Sequence, residues 1–227
     1  MMAHTGRLII GIVGCSASGK STLVSALRRA APYIRSAPTV VTCDDSYKAK
    51  ASCPVVDLDA LPWPRDGGRT PDAFAKRGSA DMNHPDAIEW SRVEAEIQRA
   101  DVSADVVVEG LLLCADHEGA AAVRRLCDLF VVIAVAPEDT SAQEAMWRRK
   151  WRREHLGKRS YRERGVLADE YRCYWEHYVW PRWMEHGAAT RAMGEVERHA
   201  STLKLPAGDP PDASVERLVR WLGEHRR

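Results

Sequence analysis

The stretch RLIIGIVGCSASGKSTLVSAL, residues 7–27, decides the fold. Residues 8–13 form a short apolar, β-branched run of the kind that makes a buried strand. Residues 14–21 then fit the pattern G-x-x-x-x-G-K-[ST], and Leu23, Val24 and Leu27 follow with helical spacing. Strand, loop and helix in this order are the context in which the pattern forms a phosphate-binding loop, whereas a Gly/Ser-rich connection that fits by chance needs neither neighbour.

The loop's residue types predict a site for ATP and Mg²⁺. Glycine lets the backbone turn its N–H groups toward phosphate oxygens, and the following helix directs its positive end at the same anion. In such loops the lysine, here Lys20, reaches the β- and γ-phosphates, and the hydroxyl of Ser21 binds the metal. The predicted nucleotide-binding residues are Gly14, Ser16, Ala17, Ser18, Gly19, Lys20, Ser21 and Thr22.

The composition narrows the class of protein. A net charge of +1 over 227 residues gives no general attraction to nucleic acid or to an anionic membrane. The six cysteines have no C-x-x-C pair or zinc-like spacing, which favours free thiols in the cytoplasm. The first apolar run is too short for a signal peptide or a membrane span. We therefore expect one cytoplasmic domain, residues 1–227, with no membrane or nucleic-acid partner; the oligomeric state stays open.

Further apolar runs predict an α/β fold. Residues 39–43, 105–113 and 128–135 read as strands, and 202–205 as an edge strand. Helical patterns lie between them, and an aromatic helix over 170–183 is expected to be interrupted or to end near Pro181. A closing helix covers 215–222. This order predicts a P-loop NTPase fold: a doubly wound, mostly parallel sheet with helices on both faces and a small lid.

Acidic residues follow or close two of these strands. Asp44 and Asp45 come after strand 39–43, where ligands of doubly wound sheets collect, although Asp-Asp-Ser is also common as a solvated turn or helix cap. Glu109 lies in the run 105–113, and a charged residue there must be paired if it is structural. Its position in a strand of a phosphate-binding protein predicts the Walker B role of organising Mg²⁺.

Two other segments stand out. Residues 49–82 are rich in Pro and Gly and form a predicted insertion on the substrate side: a lid, a binding loop or a disordered connection. Residues 148–164 hold nine of the 33 Lys and Arg residues. This basic segment could be a solvated helix face or a nucleic-acid patch, but the neighbouring phosphate site favours a lid whose arginines cover the transferring phosphoryl group.

Taken together, these residues resemble the uridine kinase and nicotinamide riboside kinase branch of the P-loop kinases. The resemblance runs from Ile10 to about Trp183. It is carried by residues 11–22 (G-I-V-G…G-K-S-T), 44–48 (D-D-S-Y-K), 83–87 (N-H-P-D-A), 108–113 (V-E-G-L-L-L), 148–152 (R-R-x-x-R) and 178–181 (Y-V-W-P). Two positions depart from the family pattern: Asn83 replaces an acid that brackets the ribose hydroxyls, and Ser46 replaces an aromatic residue.

The resemblance implies ATP- and Mg²⁺-dependent phosphorylation of the 5′-hydroxyl of a ribonucleoside such as uridine, cytidine or nicotinamide riboside. It implies that Asp44 is the general base and that Ser21 and Glu109 organise the metal. Phosphate charge would be held by Lys20, Arg149 and Arg152. The implied substrate residues are Asp44, Tyr47, Asn83, His84 and Arg148.

Two other functions remain open. The first keeps the reaction but changes the acceptor to a modified nucleoside or another small alcohol of specialised metabolism, which Asn83 and the insertion suggest. The second is a nucleotide-binding switch without an acceptor. The chain has no N-K-x-D guanine motif, which argues against a GTPase switch.

Overall fold

Five parallel strands form the centre of the structure, a computed structural model. It describes residues 6–28, 34, 38–64, 66–75, 80–136, 138–157, 163, 165–199 and 201–225. The strands are β1 (Ile9–Gly14), β2 (Thr39–Thr42), β3 (Val106–Gly110), β4 (Leu129–Ala134) and β5 (Thr202–Pro206). Their order across the sheet is β2-β3-β1-β4-β5, and every neighbouring pair is parallel. The predicted α/β fold is confirmed, with β5 at one edge.

Helices surround this sheet. In chain order they are α1 (Lys20–Leu27), α2 (Asp72–Ala75), α3 (Trp90–Arg99), α4 (Glu118–Leu126), α5 (Thr140–Arg152), α6 (Ala168–Tyr174), α7 (Trp180–Trp183), α8 (Arg191–Arg198) and α9 (Pro211–His225). Three π-helical turns extend or join them: Arg153–Gly157, Trp175–Val179 and Met184–Ala188. Within the described ranges no helix has the length and apolar character needed to cross a bilayer.

The strand bounds differ from the sequence prediction where neighbours end. Residues 105–113 were expected to form one strand, but β3 ends at Gly110, which pairs with Val13 next to the last residue of β1. Beyond that point β1 turns into the loop, so residues 111–113 have no strand to pair with. Pro137, which marks the predicted end of the strand 128–135, lies outside the described residues.

The aromatic helix does not end at Pro181. Helical structure runs from α6 through α7 to Ala188, and Pro181 lies in the first turn of α7. Proline cannot donate a backbone hydrogen bond and its ring crowds the preceding turn. The wide turn Trp175–Val179, in which the N–H of Trp180 bonds the carbonyl of Trp175, relieves this conflict without breaking the helix.

The insertion has a buried aromatic anchor. Trp63 and Phe74 are buried, with ring centroids 4.9 Å apart, and Phe74 lies 4.9 Å from the ring of Tyr174 in α6. Aromatic pairs at this separation add about 0.5–1.5 kcal/mol to the gain from burial. The described part of residues 49–82 is therefore attached to the aromatic helix by its own apolar contacts.

Two aspartates fix where the central strand begins. The fully buried carboxylate of Asp105 accepts a hydrogen bond from the N–H of Leu8 at 2.8 Å, and the carboxylate of Asp128 accepts one from the N–H of Ile9 at 2.8 Å. These residues directly precede β3 and β4, the two strands that flank β1. The carboxylates thus set the relative register of all three strands.

Replacing Asp105 should destabilise the sheet. In Asp105→Ala the buried N–H of Leu8 loses a charged acceptor, so we expect the free energy of unfolding to fall by about 1.5–3 kcal/mol. Chemical denaturation measures this loss. Asp105→Asn keeps a side-chain oxygen as acceptor, so its free energy of unfolding should fall by less. Asp128→Ala should also cause a smaller fall, because Asp128 is only half-buried. Equal stability of Asp105→Ala and the wild type would contradict the assignment.

Candidate functional site

A cavity of about 310 Å³ opens where the strands end. Its walls include Thr42, Gly110, Ile133 and Pro206, which lie at or near the carboxyl ends of β2, β3, β4 and β5. Residues 16–23 of the loop and α1 line the same space. In parallel α/β sheets this end is where ligands bind.

The loop of residues 14–21 has the backbone expected for an anion cradle. Gly19 has φ +114° and Ala17 has φ +61°, and the latter is uncommon for a residue with a side chain. A Cβ on Gly14 would meet the Ser18 hydroxyl at 2.6 Å, so the tight turn requires glycine there. Strained backbone of this kind collects at ligand sites.

Lys20 points back across this loop. Its Nζ donates to the carbonyl oxygens of Gly14 at 2.8 Å and Cys15 at 3.0 Å. Burial lowers the pKa of Lys20, and the neighbouring carboxylates of Asp44 and Glu109 oppose that shift. Two carbonyls thus hold the ammonium at the cavity wall, and the two acids partly balance its positive charge.

The structure brings together Ser21 and Glu109, the two residues whose predicted role is to organise Mg²⁺. The Ser21 hydroxyl donates to Glu109 Oε2 at 3.5 Å, and the Thr42 hydroxyl donates to Glu109 Oε1 at 3.4 Å. Burial raises the pKa of Glu109, while Lys20 acts in the opposite direction. The described residues contain no group of three or more His, Cys, Asp or Glu side chains that could hold a metal ion. An all-oxygen set with few protein ligands fits Mg²⁺, which keeps several waters and shares phosphate oxygens.

Asp44 faces the same cavity from the 3₁₀ turn Cys43–Ser46 that follows β2. The Tyr47 hydroxyl donates to Asp44 Oδ1 at 3.4 Å. Burial, followed by the charge of Asp44, raises the pKa of Tyr47, so the phenol stays a donor. Tyr47 itself is not among the residues that line the cavity.

Among its described residues the basic segment contributes three cations to the cavity, of which the sequence prediction named one as a site residue. Arg149, Lys150 and Arg153 line the cavity, on α5 and the π turn that extends it. Arg148 is exposed and pairs with Glu144 at 2.8 Å, and Arg152 is exposed and is not among the lining residues. Their predicted roles remain predictions. The other basic residues of the segment 148–164 lie outside the described residues; they are Lys158, Arg159, Arg162 and Arg164.

Asn83 and His84 lie outside the cavity wall, in a second polar cluster. The backbone N–H of Asn83 donates to Asp81 at 3.0 Å, and the His84 ring accepts from the N–H of Asp86 at 3.1 Å. The fully buried Asp81 also accepts from the Tyr178 hydroxyl at 2.7 Å and pairs with Arg182 at 2.9 Å.

Helix α3 starts at Trp90, and a 3₁₀ turn over Pro85–Ala87 precedes it. The N–H of Lys48 donates to Ala87 and that of Glu89 donates to Ser46. This pairing keeps Ile88 extended and connects the turn after β2, which carries Asp44, to the segment that carries Asn83 and His84.

Sequence comparisons find no relative: no protein-family model matches the chain, and no curated protein matches it. Solved structures do match. A gluconokinase from Sinorhizobium meliloti 1021 has a TM-score of 0.52 and 12% identity, over 96% of this chain and 92% of that chain. A sugar kinase from Janibacter sp. HTCC2649 has a TM-score of 0.50 and 15% identity, over 97% and 96%. The chain has the P-loop fold. At these identities the comparisons establish that fold and not the reaction.

The wall opposite the P-loop was not predicted from the sequence. It is formed by Leu205, Pro206, Ala207, Asp209, Pro211 and Ser214, from the end of β5 to the start of α9. Arg149 joins this wall, since its Nη2 donates to the carbonyl of Ala207 at 3.3 Å. A turn after an edge strand has no motif of its own. One feature of the sequence does indicate that Arg149 and Arg153 lie close together: they are four residues apart, so they share one face of a helix.

The Glu109 carboxylate should lower the stability of the nucleotide-free protein at neutral pH. A carboxyl whose pKa is raised on folding destabilises the folded state above that pKa, and the effect disappears as the pH falls and the group is protonated. We expect Glu109→Gln to melt higher than the wild type near pH 8, by about 2–4 °C for each kcal/mol. The difference should shrink toward pH 4.

Glu185→Gln is the matched control. Arg182 donates to Glu185 and lowers its pKa, so this carboxylate stabilises the fold at neutral pH. Its replacement should therefore lower the melting temperature slightly near pH 8. A Glu109→Gln protein that melts below the wild type at every pH would show that the carboxylate is needed for folding itself.

Proposed function

We propose that this protein is an ATP- and Mg²⁺-dependent kinase that phosphorylates the 5′-hydroxyl of a ribonucleoside. One observation supports it: Lys20, the cation of the phosphate loop, and the carboxylate of Asp44 line the same cavity. A nucleotide switch needs the first group but needs no general base for an acceptor hydroxyl.

On this proposal the P-loop and its helix hold the triphosphate, and Lys20 neutralises charge on the outer phosphates. Ser21 and Glu109 would hold Mg²⁺, which supplies further neutralisation of the transferring group. Arg149 lies against the wall formed by β5 and α9, where it can contact both the nucleotide and that wall. Phosphoryl transfer depends mainly on such positioning and charge, since the transition state is loose.

Asp44 is the proposed general base. It would accept the proton of the attacking hydroxyl as the phosphoryl group transfers. Tyr47 donates to one oxygen of the carboxylate and thereby fixes its orientation, so the other oxygen is left for the acceptor. The role of Tyr47 is therefore to position Asp44.

The nucleoside class rests on the motif resemblance and on the second polar cluster. Asn83 departs from the family acid, but the buried carboxylate of Asp81 lies two residues away and bonds the backbone of Asn83. Tyr178 and Arg182 hold Asp81 in place, and Asp81 in turn orders the segment that would contact the ribose. A second candidate is another small polyol, because the structural neighbours include kinases named for gluconate and for sugars.

The deciding experiment measures ADP release from ATP and Mg²⁺ with each of a panel of acceptors. The panel contains uridine, cytidine, nicotinamide riboside, gluconate and simple sugars, and mass spectrometry identifies the product. A nucleoside 5′-monophosphate would support the proposal. Product only from a sugar acid or sugar would shift the acceptor to the second candidate, and ATP hydrolysis that no acceptor stimulates would favour a switch.

Asp44→Asn tests the base. We expect kcat to fall by about 10²–10⁴-fold, the usual contribution of a general base, with nearly unchanged nucleotide affinity. The matched control is Asp45→Asn, since Asp45 lies in the same turn but does not line the cavity. It should keep kcat within a small factor. Equal losses in both variants would show that the turn's charge matters and that Asp44 has no special role.

A further inference from the structure

A buried glutamate holds two of the cavity's cations. Glu154 is only 7% exposed and lies in the π turn Arg153–Gly157 that extends α5. Its Oε1 is 3.1 Å from Lys150 Nζ and 3.6 Å from an Arg153 guanidinium nitrogen. Lys150 and Arg153 both line the nucleotide cavity, whereas Glu154 does not. The carboxylate therefore lies behind the two cations, on the protein side.

This arrangement limits where the cations can go. A lysine side chain loses about 1.5–2 kcal/mol of rotamer freedom when it is fixed, so an unpaired lysine on a cavity wall samples many positions. A buried carboxylate must keep its cationic partners, because leaving it unpaired is costly. Glu154 thus holds Lys150 in one region and keeps Arg153 beside it.

Both cations act electrostatically on the phosphate loop. The charge of Lys150 contributes to lowering the pKa of Cys15, although burial raises that pKa overall, and the charge of Arg153 contributes to lowering the pKa of Lys20. The end of α5 therefore adds positive potential at the place where the loop would hold the outer phosphates. By contrast, Arg148 on the same helix pairs with Glu144 on an exposed surface outside the cavity.

We propose that Glu154 is a positioning residue that fixes Lys150 and Arg153 as the cationic wall facing the terminal phosphates of the bound nucleotide. The inference rests on the proposed function only in that the cavity binds a nucleoside triphosphate. The sequence prediction named Lys20, Arg149 and Arg152 for phosphate charge. This proposal adds Lys150 and Arg153 and gives a positioning role to Glu154, the acid that pairs with both.

The test compares binding of a non-hydrolysable ATP analogue and of ADP, each with Mg²⁺, by calorimetry without any acceptor. We expect Lys150→Met to weaken binding of the analogue about tenfold, equivalent to about 1.4 kcal/mol. Glu154→Gln should weaken it by a smaller factor of the same order. ADP binding should change much less in both variants, because the terminal phosphate is missing. A structural defect alone would weaken both ligands alike.

The double variant decides whether Glu154 acts through the lysine. If it does, Lys150→Met/Glu154→Gln should bind the analogue about as well as Lys150→Met, because the lysine through which the carboxylate acts is already gone. Fully additive losses, or a Glu154→Gln protein with wild-type affinity for both ligands, would overturn the proposal. Glu144→Gln is the matched control, an acid in a pair of the same spacing on α5, and should bind both ligands like the wild type.

Two further readouts keep the outcomes distinct. If Glu154→Gln does not fold, Glu154→Asp, which keeps the charge but shortens its reach, should give the same selective loss in smaller degree. Failure of all acceptors with intact analogue binding would contradict the kinase proposal alone. Lack of analogue binding by the wild-type protein would overturn the positioning role as well.

Discussion

The site depends on one electrostatic constraint, the placement of the Lys20 ammonium between backbone carbonyls and two acids. The carbonyls of Gly14 and Cys15 hold it, while Asp44 and Glu109 oppose the effect of burial on its pKa. These groups come from three adjacent strands, β2, β3 and β1. The register that pairs Ile12 with Glu109 is therefore a functional requirement as well as a structural one. Asp105 and Asp128 help to hold that register at the opposite end of the strands.

The parts of this arrangement that the sequence predicted are those with strong local patterns. Short apolar runs bounded by polar residues predicted the strands, and the loop pattern predicted the tight turn between β1 and α1, because each is written in consecutive residues. The acids Asp44 and Glu109 were found for a related reason: each is fixed to the end of a recognisable strand. Once the strands are parallel, topology alone brings them to the loop.

The parts that it did not predict depend on contacts between distant segments. Which cations of α5 face the cavity is set by how the helix lies against the end of β5, and Arg149 bonds a carbonyl 58 residues away. Asp81 carries no motif, yet it becomes a buried acceptor because Tyr178 and Arg182 arrive from the aromatic helix. That helix continues through Pro181 because a wide turn before it accommodates the missing hydrogen bond. The spacing of apolar residues does not indicate such a turn.

The cavity and the neighbouring polar cluster around Asp81 consequently differ in what determines them. In the cavity, Lys20 bonds carbonyls of its own loop, and Lys150 pairs with Glu154 one turn further along. The polar cluster depends instead on contacts between the insertion, the turn after β2 and the aromatic helix. A change in the length or packing of the insertion can therefore move Asp81 and Asn83 and leave Lys20 and Lys150 in place. A shared fold with a gluconokinase and a sugar kinase therefore does not determine these contacts, because they depend on how this chain's own insertion packs.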